Sequence, residues 1–161
     1  NLVIPEGITV IEPGTFAGCD ELESIAFPST LERIADAEYD ENGSAKFGVF
    51  FKCSSLKKIV IPGNVKYIGT YAFNECWALE EIVLEEGVER IMEGAFKCPM
   101  LLYGVVTKMY IPASVVEIHP ESFVQWSYVD VSYAGTVEQW YALMPDTQIW
   151  VHCADGLAPP K

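Results

Sequence analysis

Several things are scarce in this chain of 161 residues, and each scarcity removes a class of function. Positive charge is the first. Ten Lys and Arg stand against 23 Asp and Glu, a formal net charge of −13. Nucleic acid and anionic membrane surfaces are held by positive patches, so neither is expected as a partner. Histidine is nearly missing, with only His119 and His152. His152 precedes Cys153 in a strand-like stretch, where neighbouring side chains point to opposite faces. The two therefore cannot act together as base and nucleophile. No glycine-rich phosphate loop and no G-x-S-x-G occurs. Paired acids such as Glu80-Glu81 and Glu85-Glu86 are ordinary solvated surface in so acidic a sequence. The expectation is a protein that is not an enzyme and holds no cofactor or metal. No apolar run approaches the roughly 18 residues of a membrane span, so membrane insertion is not expected either.

The five cysteines lack the pattern of a disulfide framework. Cys19, Cys53 and Cys76 recur after the same F-x-x, and Cys98 is displaced by one residue, with Pro99 in the slot. Without a C-x-x-C or a His at ligand spacing, zinc is disfavoured. A column of small apolar thiols is expected, with a Cys53–Cys76 disulfide between adjacent coils as the alternative.

What the chain does contain is a repeat. Residues 56–78 read LKKIVIPGNVKYIGTYAFNECWA and residues 79–101 read LEEIVLEEGVERIMEGAFKCPML. Leu56, Leu79 and Leu102 are 23 residues apart, as are Phe50, Phe73 and Phe96, and Pro5 and Pro28. The 34 residues from Phe16 to Phe50 and the 27 from Phe96 to Phe123 place a long insertion near 35–46 and a short one near 102–105 in a fixed frame. A period of this size is the signature of a solenoid of stacked coils. Within one unit, Leu56, Ile59 and Ile61 form a short strand facing a core, and Lys58 and Val60 point outward. Pro62 lacks the N–H needed to continue the strand. Val65 and Ile68 return to the core, and Tyr71-Ala72-Phe73 with Cys76 are expected to form a turn of helix or 3₁₀ on the outer side.

The first coil is expected to turn Leu2, Ile4, Ile8, Ile11 and Phe16 inward. It has no polar cap in front, so preceding residues or a partner should cover it, and self-association through this coil is one form that takes. The second coil keeps Leu22, Ile25, Phe27, Leu31, Ile34 and Phe50 in frame. Its insertion is acidic (Asp36, Glu38, Asp40, Glu41) and turns at Asn42-Gly43, a hairpin dipeptide. It loosely echoes a calcium loop, but Val49 stands where a bidentate Glu is needed, so a solvated loop is expected. Trp77 follows the cysteine where other coils carry Asp20 and Ser54, which predicts partial exposure.

A fifth strand is expected over 106–111, ended by Pro112, with Trp126 in the cysteine position and His119 toward solvent. Residues 128–156 form a C-terminal capping unit. Its strand, 128–133, turns Tyr128, Val131 and Tyr133 inward. Thr136 and Gln139 then make a capping box. Val137, Trp140, Tyr141 and Met144 give the helix an apolar face, and Pro145 stops it. A last strand over 148–153 is followed by a tail, 156–161, expected to be loose.

Ile61-Pro62, Val65, Ile68, Ala72-Phe73 and Cys76 resemble the BspA-type leucine-rich repeat pattern. The tail residues Tyr133-Ala134-Gly135-Thr136, Glu138-Gln139-Trp140 and 151–156 are similar to the closing unit of many such proteins. The resemblance covers residues 1–161 as one domain of five to six coils. It implies an α/β solenoid, a right-handed leucine-rich repeat superhelix of short parallel strands with 3₁₀ or short helical convex segments. It also implies an extracellular or cell-surface location and non-catalytic, adhesin-like recognition of a host or other-cell surface protein or a matrix component. A structural spacer or assembly unit within a larger surface protein is the alternative. The asparagine position of the general leucine-rich pattern holds Gly7, Thr30, Asn64, Gly87 and Ser114, so no continuous asparagine ladder is expected.

Two outward columns follow from the register. One is Ser24, Lys58, Glu81, Lys108, Asp130, and the other is Val3, Ala26, Val60, Val83, Tyr110, Ser132. Lys58, Val60, Glu81, Val83, Lys108 and Tyr110 are the candidate binding strip. Trp77 and the insertion acids Asp36, Glu38 and Asp40 are the alternative contacts.

Overall fold

The 23-residue period folds as stacked coils in a computed structural model that describes residues 1–98, 107–123 and 129–161. Each coil lays down two short strands. The first coil gives β1 (Leu2–Val3) and β2 (Val10–Ile11), and the second gives β3 (Ile25–Ala26) and β4 (Arg33–Ile34). The insertion forms β5 (Glu38–Tyr39) and β6 (Ala45–Phe47). Then come β7 (Lys58–Ile61) and β8 (Tyr67–Ile68), β9 (Glu81–Leu84) and β10 (Arg90–Ile91), β11 (Thr107–Ile111) and β12 (Glu117–Ile118). The chain closes with β13 (Val129–Tyr133), helix α1 (Val137–Leu143), β14 (Val151–Cys153) and β15 (Gly156–Ala158).

Strands of two residues cannot stand alone, and they persist here because each pairs with its copy one coil away. The main ladder runs β7-β9-β11-β13-β14-β15, and a second ladder runs β2-β4-β8-β10-β12. All these pairings are parallel except the last, β14 with β15. The V-x-x-I half of the repeat thus builds a strand ladder of its own, where its spacing suggests only a return to the core.

A third line of bonds joins the coils on the far side. Phe16, Phe50, Phe73 and Phe96 each donate a backbone N–H to a carbonyl of the next coil (Val49, Ala72, Ala95, Ser122). Two residues on, Gly18, Lys52 and Glu75 do the same toward Phe51, Asn74 and Lys97. Those three have φ of 73°, 60° and 60°. This corrects the expectation of 3₁₀ or helical convex segments, because the described ones are turns. A left-handed residue breaks a helical run and sends its N–H to the neighbouring coil, away from its own chain.

The phenylalanines form the spine of the core. Phe16, Phe50, Phe73 and Phe96 stack with ring centroids 5.2, 4.8 and 5.3 Å apart and planes within 10° of parallel. Leu56, Ile59, Ile61, Val65 and Ile68 are buried around them, as are their counterparts in the fourth coil. Buried Cys53 and Cys76 fill the expected column, but Cys19, expected in it, is exposed. The Sγ atoms of Cys53 and Cys76 donate to the carbonyls of Phe16 and Phe50 at 3.2 and 3.1 Å. Burial pushes the Cys76 thiol well up, which keeps it protonated and unreactive.

The polar position of the repeat works although its residue type varies. Thr30 Oγ1 accepts from the Gly7 N–H and donates to the Ile8 carbonyl. Asn64 Nδ2 donates to the carbonyls of Pro28 and Leu31. Ser114 Oγ accepts from the Gly87 N–H and donates to the Val88 carbonyl. Where no such side chain intervenes, Gly63 and Gly87 bring the coils together. A Cβ on Gly63 would lie 1.8 Å from the Glu86 carbonyl oxygen.

Two more expectations are corrected. Ile8 does not fill the core but is 38% exposed. The tail is not loose. β15 pairs antiparallel with β14 and buries Ala158. Tyr141 Oη then donates to the Pro159 carbonyl, and the Lys161 ammonium lies 3.5 Å from the Tyr141 ring centroid. The capping box of Thr136 and Gln139 forms as expected. The expectations for Pro99, the 102–105 insertion, the first residue of the fifth strand, Trp126 and Tyr128 lie outside the described residues.

Phe73→Ala should lower the unfolding free energy by about 3–5 kcal/mol and Leu56→Ala by about 2–5 kcal/mol, since flanking coils cannot close either cavity. Ile8→Ala should cost about 1 kcal/mol or less. Urea midpoints of the three variants would check the order.

Candidate functional site

The main ladder has one face in the core and the other in solvent. Its register brings the expected columns together side by side. Lys58 lies opposite Glu81, Glu81 opposite Lys108, and Lys108 opposite Asp130. In the second row Val60 faces Val83, Val83 faces Tyr110, and Tyr110 faces Ser132. Lys58, Lys108 and Tyr110 are exposed, while Val60, Glu81 and Val83 are half-buried. The Lys58 ammonium and the Glu81 carboxylate are 2.7 Å apart. Lys58 is exposed and Glu81 still partly open to solvent, so such a pair contributes about 0.2–1 kcal/mol and serves mainly to fix side-chain positions. Val3 and Ala26 sit in a separate two-stranded ladder of β1 and β3, outside this sheet.

Both rows continue further than the repeat predicts. His152 pairs with Ser132, and Leu157 pairs with His152. Val151 is buried, so alternation turns both Trp150 and His152 outward. Trp150 is 57% and Leu157 47% exposed. The alternation around Val151 is the available signal in the sequence, but there the closing strand reads as a cap and not as part of the face. His152 Nε2 stands 3.7 Å from Asp130 Oδ1.

The alternative contacts are largely engaged within the protein. The Trp77 ring packs against the core, with its indole nitrogen buried. Asp36 accepts from Tyr67 Oη at 2.7 Å and from the Thr70 N–H at 3.0 Å, and it also pairs with Arg33. Arg33 in turn lies over the Tyr67 ring, 4.5 Å from its centroid. Asp40 accepts from the N–H groups of Asn42 and Ser44, which closes the insertion hairpin and lowers its own pKa. Glu38 is exposed in β5. Tyr39 and Phe47 put exposed apolar surface on the same hairpin, and Tyr39 Oη bonds Thr70 Oγ1 at 3.0 Å. Among the described residues no group of three or more His, Cys, Asp or Glu side chains is placed to hold a metal ion. Among those residues, too, no helix is long and apolar enough to cross a membrane.

The family model described as "BspA type Leucine rich repeat region (6 copies)" matches residues 1–129. No curated protein matches the chain. Among solved structures, a leucine-rich cell surface protein from Faecalibacterium prausnitzii A2-165 is similar at 18% identity and a TM-score of 0.37. The alignment covers 92% of this chain and 63% of that one, so this chain spans less than two thirds of that protein's length.

The network around Asp36 has a pH signature. Burial, followed by the hydrogen bond to Asp36, pushes the Tyr67 hydroxyl up to about 12. The bond to Glu93, at 2.7 Å, and burial do the same for Tyr71. A raised pKa means that the folded state holds the proton more tightly than the unfolded chain, whose tyrosines titrate near 10. The associated stability is therefore complete below about pH 10 and is lost as pH rises toward 12. Tyr67→Phe should flatten the fall in stability over that window, and urea melts between pH 9 and 11.5 would register it. An unchanged slope would mean that the Tyr67–Asp36 bond contributes nothing to it.

Proposed function

The chain belongs to the BspA-type leucine-rich repeat family, and from that premise we propose that it is a non-catalytic recognition module of an extracellular or surface-displayed protein, binding a protein or other component of a host or neighbouring cell surface. One observation carries this reading. Strands β7, β9, β11 and β13 present two outward rows in register, one of alternating charge (Lys58, Glu81, Lys108, Asp130) and one that passes from the aliphatic Val60 and Val83 to Tyr110 and Ser132. Lys58, Val60, Glu81, Val83, Lys108 and Tyr110 form their centre. The reverse sides of these strands are locked in the core, where Ile59, Ile82 and Met109 are buried. A face held this way binds with little loss of conformational entropy. The family resemblance supports the location.

A second reading, a spacer or assembly unit, is favoured by the first coil. Val3, Ile8 and Val10 are exposed there, and Leu2, Phe16 and Leu22 line an open groove. Concentration-dependent association in sedimentation, weakened by Val3→Glu, would support it. A strictly monomeric protein that binds its ligand elsewhere would exclude it.

Recognition is tested by screening the purified protein against matrix proteins, mucins and epithelial cells beside a Lys58→Glu/Tyr110→Ala variant. Binding by the parent and at least a tenfold loss in the variant is the expected outcome. Equal binding by both would move the site to the insertion hairpin or Trp77, and silence from both would favour the assembly reading.

A further inference from the structure

The solvent face of the main ladder changes character toward β14 and β15. Near β7 and β9 the second row is small and aliphatic, with Val60 and Val83 half-buried. From β11 onward it carries Tyr110, Ser132, His152 and Leu157 in one continuous register. Trp150 stands beside that row, one residue before β14 and, by the parallel register, opposite Asp130. Tyr110 is 40% exposed, so both ring systems offer open surface, and between them lie a carboxylate, a hydroxyl and an imidazole.

We propose that this end of the face, centred on Trp150 and Tyr110, binds a neutral oligosaccharide. The proposal rests on the recognition reading above and names the ligand class for the same face. Three features of the surface argue for a sugar chain. The first is the interleaving of apolar and polar groups. A protein interface of stable affinity gathers its aromatic anchors into a contiguous dry centre with the polar groups at the rim. Here Trp150, Tyr110 and Leu157 are separated by Asp130, Ser132 and His152 instead. A pyranose matches that alternation, with an apolar C–H face for a ring and hydroxyls around its edge for the polar groups.

The second feature is charge. The protein carries −13, yet Lys58, Glu81, Lys108 and Asp130 balance along the first row. The face is thus locally neutral, while the rest of the surface repels polyanions, which selects against sulfated or uronic acid chains. Asp130 Oδ1 lies 3.7 Å from His152 Nε2, and among the described residues no ion pair joins Asp130 to Lys108. Acceptor lone pairs on Asp130 and the donors of Lys108 therefore remain available to sugar hydroxyls.

The third feature is rigidity and reach. Val131 and Val151 are fully buried behind the patch, so the rings are presented from fixed strands. Two strand spacings and two residues along the strand put the Cα atoms of Tyr110 and Trp150 about 12 Å apart. A short oligosaccharide spans that distance, and a single sugar does not.

The test uses the intact chain with linear hexasaccharides of neutral glucose, mannose and galactose units, and with oligogalacturonate as the anionic probe. Titrations are followed by tryptophan fluorescence and by calorimetry, and circular dichroism checks that each variant is folded. Saturable binding of at least one neutral hexasaccharide is expected, weakened at least tenfold in Trp150→Ala and in Tyr110→Ala. Val116→Ala, an exposed control away from this sheet, should bind as the parent does. Oligogalacturonate should bind at least tenfold more weakly. No saturable binding of any neutral hexasaccharide, or binding untouched by Trp150→Ala, would overturn the proposal. Attachment to epithelial cells separates this failure from failure of the recognition reading. If attachment survives periodate treatment of the cells and Trp150→Ala, yet is abolished by Lys58→Glu/Tyr110→Ala, the ligand is a protein, and recognition stands without the sugar.

Discussion

One ring of phenylalanine per coil, stacked at about the spacing of neighbouring strands, is the constraint on which the rest of this structure depends. Centroid distances of 4.8–5.3 Å between successive rings match the roughly 4.8 Å separation of paired strands. The match lets three lines of hydrogen bonds close at once, along the two ladders and along the turn side. None of these could form alone, because two-residue strands have too few bonds to offset the entropy of ordering them. Adding a coil adds a ring to the column and a rung to every ladder, so stability grows by nearest-neighbour contact along the stack.

The same constraint explains what is free to vary. The path between Ile34 and Phe50 carries a whole hairpin, yet Phe50 still stacks on Phe16 and Phe73. Tyr71 shows how far the backbone bends to keep the frame. It adopts a left-handed φ of 54° without being glycine, and its hydroxyl is held by Glu93. Gly94 stands one period later and is crowded by that ring, since a Cβ added there would meet Tyr71 Cε1 at 2.5 Å. The polar position likewise tolerates Thr30, Asn64 or Ser114, since each needs only to satisfy a backbone group of the preceding coil. The requirement is a hydrogen bond across the gap, not an asparagine.

Legibility in the sequence follows from how strictly each feature is periodic. The spacing of Leu56, Ile59, Ile61, Val65, Ile68 and Phe73 is enough to place every one of them in the core, because a repeat that buries a position in one coil buries it in the next. The outward alternation of Lys58 and Glu81 is readable for the same reason. Four things are not readable. Left-handed residues such as Lys52 and Glu75 carry no compositional mark, so the turns look helical. Burial does not follow the period in the first coil, so Ile8 reads as core by analogy with Val65 and is not. The tail residues Gly156–Ala158 belong to no repeat, and their pairing with β14 depends on an edge that only the assembled stack presents. The face residues Trp150 and His152 escape notice for a related reason, since they sit where the repeat gives way to the closing unit.

Where a recognition surface belongs on such a molecule follows from the division of labour within each strand. Inward residues are held to one size and shape by the column they join, and replacing one disturbs the coils on both sides. Outward residues on the same strand contribute little to that packing, so the face can change its chemistry from Val60 and Val83 to Tyr110, Ser132 and His152 with the backbone fixed. Exposed apolar groups are unfavourable in such a setting, because Trp150 and Leu157 leave area in water that the core has no use for. Their presence on strands backed by buried Val131, Val151 and Ala158 separates position from mobility. A ligand meeting these groups would find them already in place. Affinity there would then be governed by how well the ligand alternates apolar and polar surface, and little would be lost to ordering the protein.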